Sequence, residues 1–273
     1  GDEHARRRTK IDVLHFPSPL PQGGKGKRAV LYCNPNAGLA ELATGMSMLA
    51  GNAWCGDGIL PEEEHQCWTD FYTANGYDVY LFNYAGYGRS GLAWGPPSDG
   101  GFCAWMCVKW IWGALCTDFK PSPASIKADA LAVARHIRGT DGVDTLIIHG
   151  ESLGGMAAAH TARSLCAARH TAGAAPAPPP VSLLLCDRTF ASLPAVGQRL
   201  VGAWSGPALA LLTPTWGTNV AADFLAAPCP KCVACDSADA MINDASSLKA
   251  GISISRELGA FGKGRGRTRG AGW

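Results

Sequence analysis

The run Leu146-Ile147-Ile148-His149-Gly150-Glu151-Ser152-Leu153-Gly154-Gly155 constrains the fold more than any other part of the chain. An apolar strand leads into Gly-x-Ser-x-Gly, and the alanine-rich stretch from Met156 to about Ala168 has the composition of a helix packed closely on strands. Glycines two before and two after the serine leave room for a sharp reversal from strand to helix, where a side chain would collide across the turn. The pattern is that of a nucleophile elbow, which sets Ser152 at a helix N-terminus above the carboxyl edge of a sheet.

Short apolar runs alternate with helical patterns along most of the remaining chain, which predicts an α/β fold with a mostly parallel central sheet and helices on both faces. Strands are expected at Ala29 to Cys33, Tyr77 to Asn83, Thr145 to His149, Val181 to Cys186 and Cys232 to Cys235, with an edge strand at Ile11 to Phe16. Ala124 to Arg138 reads as an amphipathic helix. It buries Ile126, Ala130, Val133, Ala134 and Ile137, and leaves Lys127, Asp129, Arg135 and Arg138 to water. The proline-rich segment Ala172 to Pro180 cannot continue a helix and reads as a linker. Residues 1–27 form an extension carrying the edge strand, 28–255 the domain, and 256–273 a Gly/Arg-rich tail expected to be disordered. Insertions near 39–66 and 92–123 follow strands, so they emerge at the carboxyl edge where such sheets bind substrates.

The formal charge of +2 belongs to the ends of the chain: Arg6, Arg7, Arg8 and Lys10 at one, Lys263, Arg265, Arg267 and Arg269 at the other. With those set aside, acidic side chains outnumber basic ones, and nucleic acid is not the expected partner. No run of 18 apolar residues is present, although Phe102 to Cys116, with Trp105, Trp110 and Trp112, suits an apolar lid, a membrane-surface contact or simple packing. The 11 cysteines are scattered, and Cys33 and Cys186 fall on expected buried strands. That fits reduced thiols in a cytosol-like compartment better than a disulfide framework. In Cys229-Pro230-Lys231-Cys232-Val233-Ala234-Cys235 a strand would turn Cys232 and Cys235 to opposite faces, so the three thiols do not converge on a metal. No phosphate-cradling or dinucleotide motif occurs, and no cofactor is implied.

Attack of a serine on a carbonyl builds charge on oxygen that preorganised donors must stabilise. The amide of Leu153 is the first such donor, and the loop Asn34-Pro35-Asn36-Ala37-Gly38 after an early strand is placed to give the second through the amide of Asn36. That loop resembles the His-Gly-Asn-Ala-Gly oxyanion loop of the α/β-hydrolase superfamily, in the branch of the acylglycerol lipases and palmitoyl-protein thioesterases, with Asn34-Pro35 in place of His-Gly. Phe82-Asn83-Tyr84-Ala85-Gly86-Tyr87-Gly88-Arg89-Ser90 is similar to the same branch's Phe-Asp-Tyr-Arg-Gly-Tyr-Gly-x-Ser. The resemblance spans roughly residues 28 to 250. It implies the α/β-hydrolase fold, a small-molecule ester or acyl substrate, and a catalytic acid at Asp239 in Cys235-Asp236-Ser237-Ala238-Asp239, with Asp187 in reserve. Asp239 or Asp236 would otherwise cap a helix starting near Asp244.

The same resemblance requires a histidine after the acid, yet His4, His15, His65, His136, His149, His160 and His170 all precede Asp239. Beyond Asp239 the sequence offers a short helix at Ser246 to Ala250, a last strand at Ile252 to Ser255, and the tail. Three explanations follow: a truncated or frame-shifted copy of a longer hydrolase, which the abrupt change near Lys249 favours; an upstream histidine, His65, acting instead; or a non-catalytic domain binding ligands or partners. His149 reads as a packing residue behind the elbow, and His160 as facing neighbouring structure.

Overall fold

The computed structural model describes residues 9–21, 26–36, 38–40, 67–92, 121–139, 141–171, 180–202, 218–236, 239, 242 and 245–256. His65 and the run Phe102 to Cys116 lie outside them, as do the tail and most of both insertions. Strands β1 (Thr9–Lys10) and β5 (Gly91–Leu92) form a small antiparallel pair. Strands β2 (Val13–Phe16), β3 (Lys27–Cys33), β4 (Asp78–Phe82), β6 (Val143–Glu151), β7 (Leu183–Asp187) and β8 (Lys231–Ala234) form one sheet in the order β2-β4-β3-β6-β7-β8. All its pairings are parallel except that of the edge strand β2 with β4.

Alternation along the central strands sorts the core into two layers. Ala29, Leu31 and Cys33 of β3 and Leu146 and Ile148 of β6 face one way, toward α2 (Pro123–Gly139), α3 (Leu153–Thr171) and α5 (Val220–Ala226). Val30, Tyr32 and Ile147 face the other way, where Tyr72 of α1 (Trp68–Ala74) packs on them. A further helix, α4 (Leu193–Val201), starts at Ser192, whose side chain accepts the Ala195 N–H.

All five apolar residues expected on the inner face of α2 are buried. Asp129, expected in water, is buried too: its carboxylate accepts the Ala85 N–H at 2.8 Å and so ties the turn after β4 to α2. Residues 248–256 are helical, not a strand at Ile252 to Ser255. Leu248 and Ile252, four apart, are both buried while Ile254 is exposed, which is a helical period that the short Ile-Ser-Ile-Ser sequence disguises as alternation. Cys33 and Cys186 are buried, and among the described residues no cysteine is in a disulfide. No helix among the described residues is long and apolar enough to cross a membrane.

Candidate active site at the carboxyl edge of the sheet

Ser152 stands alone between β6 and α3, with φ at 52°. A side chain rarely adopts this left-handed conformation, and it persists only where surrounding contacts hold it. Here they are close. The Ser152 N–H donates to the Asp187 carbonyl at 3.0 Å, and the Ser152 carbonyl accepts the Gly155 N–H at 3.1 Å. A β-carbon on Gly154 would stand 1.9 Å from the Cys33 carbonyl oxygen, one on Gly150 2.3 Å from the Gly154 carbonyl oxygen, and one on Gly155 2.0 Å from Thr189 Oγ1. The three glycines are therefore the seam along which the first turn of α3 lies against β3, β6 and the end of β7. Because Leu153 opens α3, its N–H has no acceptor within the helix.

The loop after β3 faces this turn and is fixed from the side of β4. Asn34 is buried: its Nδ2 donates to the Phe82 carbonyl at 2.9 Å, and its own carbonyl accepts the Tyr84 hydroxyl at 2.9 Å. The Tyr87 hydroxyl donates to Asn36 Oδ1 at 3.0 Å, and Asn83 Oδ1 accepts the Ala40 N–H at 2.9 Å. Gly86 and Gly88, at φ of 90° and 49°, make the turn that presents Tyr87, and a β-carbon on Gly88 would meet Asn83 Nδ2 at 2.6 Å.

Tyr32, Glu151 and Asp187 form a row across the carboxyl ends of β3, β6 and β7. Glu151 pairs in register with Asp187, and the Tyr32 hydroxyl donates to Glu151 Oε2. Arg188, also left-handed at φ 43°, closes the row: its Nη2 lies 2.6 Å from Glu151 Oε1 and 3.3 Å from Asp187 Oδ2. Burial alone would weaken the Arg188 proton, but Glu151 and Asp187 outweigh it and raise the guanidinium further. Burial and then the Glu151 charge push the Tyr32 phenol well above its ordinary value. The sequence reading missed this network. Its signal was a charged residue ending each of two adjacent apolar strands, Glu151 on β6 and Asp187 followed by Arg188 on β7.

Behind the turn, the imidazole of His149 is completely buried. Tyr32, Trp68 and Tyr72 pack edge-on around it at centroid distances of 4.8, 4.6 and 5.9 Å, and the Tyr72 hydroxyl lies 3.1 Å from Nδ1. Nε2 has no hydrogen-bond partner among the described residues. Burial first, and the Arg188 charge second, lower the His149 pKa from 6.5 to about 3, so the ring is neutral at physiological pH. It packs, as its place behind the turn suggests. His160, on α3, has Nδ1 3.7 Å from Asp223 Oδ2, and His15 stacks on Tyr80 with Nε2 3.1 Å from Asp78 Oδ2. His136 lies exposed in the last turn of α2.

Asp239 follows β8 and is half-buried; its Oδ1 accepts the Ile242 N–H at 2.9 Å. Asp187, the reserve acid, is occupied by Arg188. Among the described residues no group of His, Cys, Asp and Glu is arranged to hold a metal ion.

No family model matches the sequence, and no curated protein does. Among solved structures, an α/β serine hydrolase from Xanthomonas campestris, described as having no lid, is similar over 91% of this chain and 73% of its own, at 17% identity and a TM-score of 0.44. Est1E from Butyrivibrio proteoclasticus, solved with ferulic acid bound, is similar over 91% of this chain and 82% of its own, at 12% identity and a TM-score of 0.53. The chain has the α/β-hydrolase fold. The likeness to Est1E extends over nine-tenths of the chain, so it concerns the fold as a whole and not one local segment.

Proposed function

We propose that this α/β-hydrolase domain is a serine hydrolase of carboxylic esters or thioesters, with Ser152 as the nucleophile. The observation that carries the reading is the left-handed Ser152 between β6 and α3, with three glycines packed too tightly around it to admit a methyl group. A fold accepts that strain where it serves to present a side chain. In the proposed reaction Ser152 Oγ attacks the carbonyl carbon, and the backbone N–H groups of Leu153 and Asn36 take the developing oxyanion. The alcohol or thiol leaves with a proton, and water then cleaves the acyl-enzyme. Asp239 takes the role of the acid that orients the base. The likeness to Est1E supports the fold on which this reading stands.

The second reading, a non-catalytic domain that binds ligands or partners, is favoured by the histidines. His149 is sealed and neutral, His160 and His15 turn to Asp223 and Asp78, and His136 sits on the outer face of α2. The catalytic reading then needs a proton acceptor other than these four, and His65 is the upstream candidate carried into the test. One experiment separates the two: labelling of the chain by a fluorophosphonate, with Ser152→Ala as control, beside turnover of a short-chain p-nitrophenyl ester. Labelling and turnover that vanish in Ser152→Ala and in His65→Ala are the expected result. A folded protein that neither labels nor turns over is the non-catalytic domain.

A further inference from the structure

The Ser152 turn is flanked by two carboxylates, Glu151 immediately before it and Asp187, whose carbonyl accepts the Ser152 N–H. Negative charge at this place opposes the charge that builds on a substrate oxygen during serine attack. Arg188 is the cation set against both, at 2.6 Å from Glu151 and 3.3 Å from Asp187. It is also locked in place, because its N–H donates to the Ala234 carbonyl of β8 at 2.9 Å and its backbone holds a left-handed φ. The strain at Arg188 thus has the same character as that at Ser152, and one ion pair and one backbone hydrogen bond join the two turns.

We propose that Arg188 is a positioning residue for Ser152: through Glu151 and Asp187 it holds the serine turn and cancels the negative charge beside it. The proposal rests on Ser152 being the nucleophile. The Tyr32 hydroxyl holds the other Glu151 oxygen, so removing Arg188 leaves the carboxylate tethered and uncompensated next to the reacting serine. Removing the Glu151 charge while Arg188 stays has the opposite sign, since the site then becomes more positive.

The test measures the second-order rate of Ser152 labelling by a fluorophosphonate, together with the melting temperature, in the wild type, Arg188→Met, Glu151→Gln and Glu151→Gln/Arg188→Met. Arg188→Met is expected to label roughly 10- to 100-fold more slowly. The double variant recovers to within about threefold of the wild type, and Glu151→Gln alone labels a few-fold faster. Glu151→Gln keeps one acceptor oxygen for Arg188 and turns its NH2 toward the Tyr32 hydroxyl, which can accept it, so it reports even if Arg188→Met fails to fold. Wild-type labelling with Arg188→Met equally fast overturns the role of Arg188 and leaves Ser152 standing. So does a folded double variant as slow as Arg188→Met, or a Glu151→Gln no faster than wild type. A wild type that fails to label overturns the nucleophile itself, and the role of Arg188 with it.

Discussion

Burial of His149 makes the stability of this domain fall on mild acidification. The folded pKa of about 3 lies below the unfolded value near 6.5, so between those limits the unfolded chain binds the proton and the native one does not. The contribution is complete above pH 6.5 and shrinks as pH falls toward 3. At pH 5 the loss relative to pH 8 is about 2 kcal/mol, since each unit of pH below 6.5 costs about 1.4 kcal/mol. His149→Phe keeps an aromatic ring among Tyr32, Trp68 and Tyr72 but has nothing to protonate. It also loses the Tyr72 hydrogen bond, which offsets its stability by about 1 kcal/mol at every pH and leaves the slope unaffected. Urea unfolding followed by tryptophan fluorescence at pH 8, 6 and 5 measures both proteins. With m of about 2 to 3 kcal/mol/M, the wild-type midpoint should drop by about 0.7 to 1 M more than that of His149→Phe between pH 8 and 5. Parallel profiles would refute the burial argument and mean that the ring takes up its proton in the native state.

Gly154→Ala, with its methyl 1.9 Å from a backbone oxygen, should lose about 3 kcal/mol or more, whereas Gly139→Ala, with nothing within 4 Å, should be neutral or gain up to about 1 kcal/mol; thermal melting of both checks the contrast. Asp223 accepts from Arg163 at 2.6 Å and from Lys127 at 3.3 Å; burial alone would raise its pKa, but His160, Arg163 and Lys127 hold it well below the usual carboxylate range. Asp223→Asn should therefore cost about 1 to 3 kcal/mol at pH 7, and the gap to wild type should narrow only as pH falls below about 4, where the carboxylate of the unfolded chain protonates while the native one stays charged. Lys231 Nζ donates to the carbonyls of Phe224, Leu225 and Ala227 at 2.9, 3.0 and 2.6 Å, closing the end of α5. Lys231→Met should lose about 1 to 3 kcal/mol and speed hydrogen exchange in α5.

The parallel strands were readable because each is a short apolar run between turn residues, and α2 because its apolar residues recur at helical spacing. The Gly-x-Ser-x-Gly segment was readable for a stronger reason: its glycines answer a steric demand that hardly varies with context. What escaped depends on partners distant in sequence. Asp129 looks like a solvent residue until the Ala85 N–H, 44 residues earlier, needs an acceptor. Tyr32, Glu151 and Arg188 meet only once β3, β6 and β7 are in register, which no periodicity within one strand reveals. The helix at 248–256 was misread because four residues satisfy a period of two by chance, while the pair Leu248 and Ile252 shows its period only when burial is known.

The central pairing of the sheet joins β3 to β6, and the Lys27 N–H that meets Asp144 Oδ2 crosses 117 residues of chain. Neither strand can be nucleated by its sequence neighbours, so ordering must wait for a large loop to close, which places this domain among slowly folding topologies. The seam at Gly154 inherits that delay, because the Cys33 carbonyl against which it packs lies on the far side of the same loop. A peptide spanning β6 and α3 would therefore carry the Gly-x-Ser-x-Gly sequence without its geometry: the serine's conformation is a property of the assembled sheet.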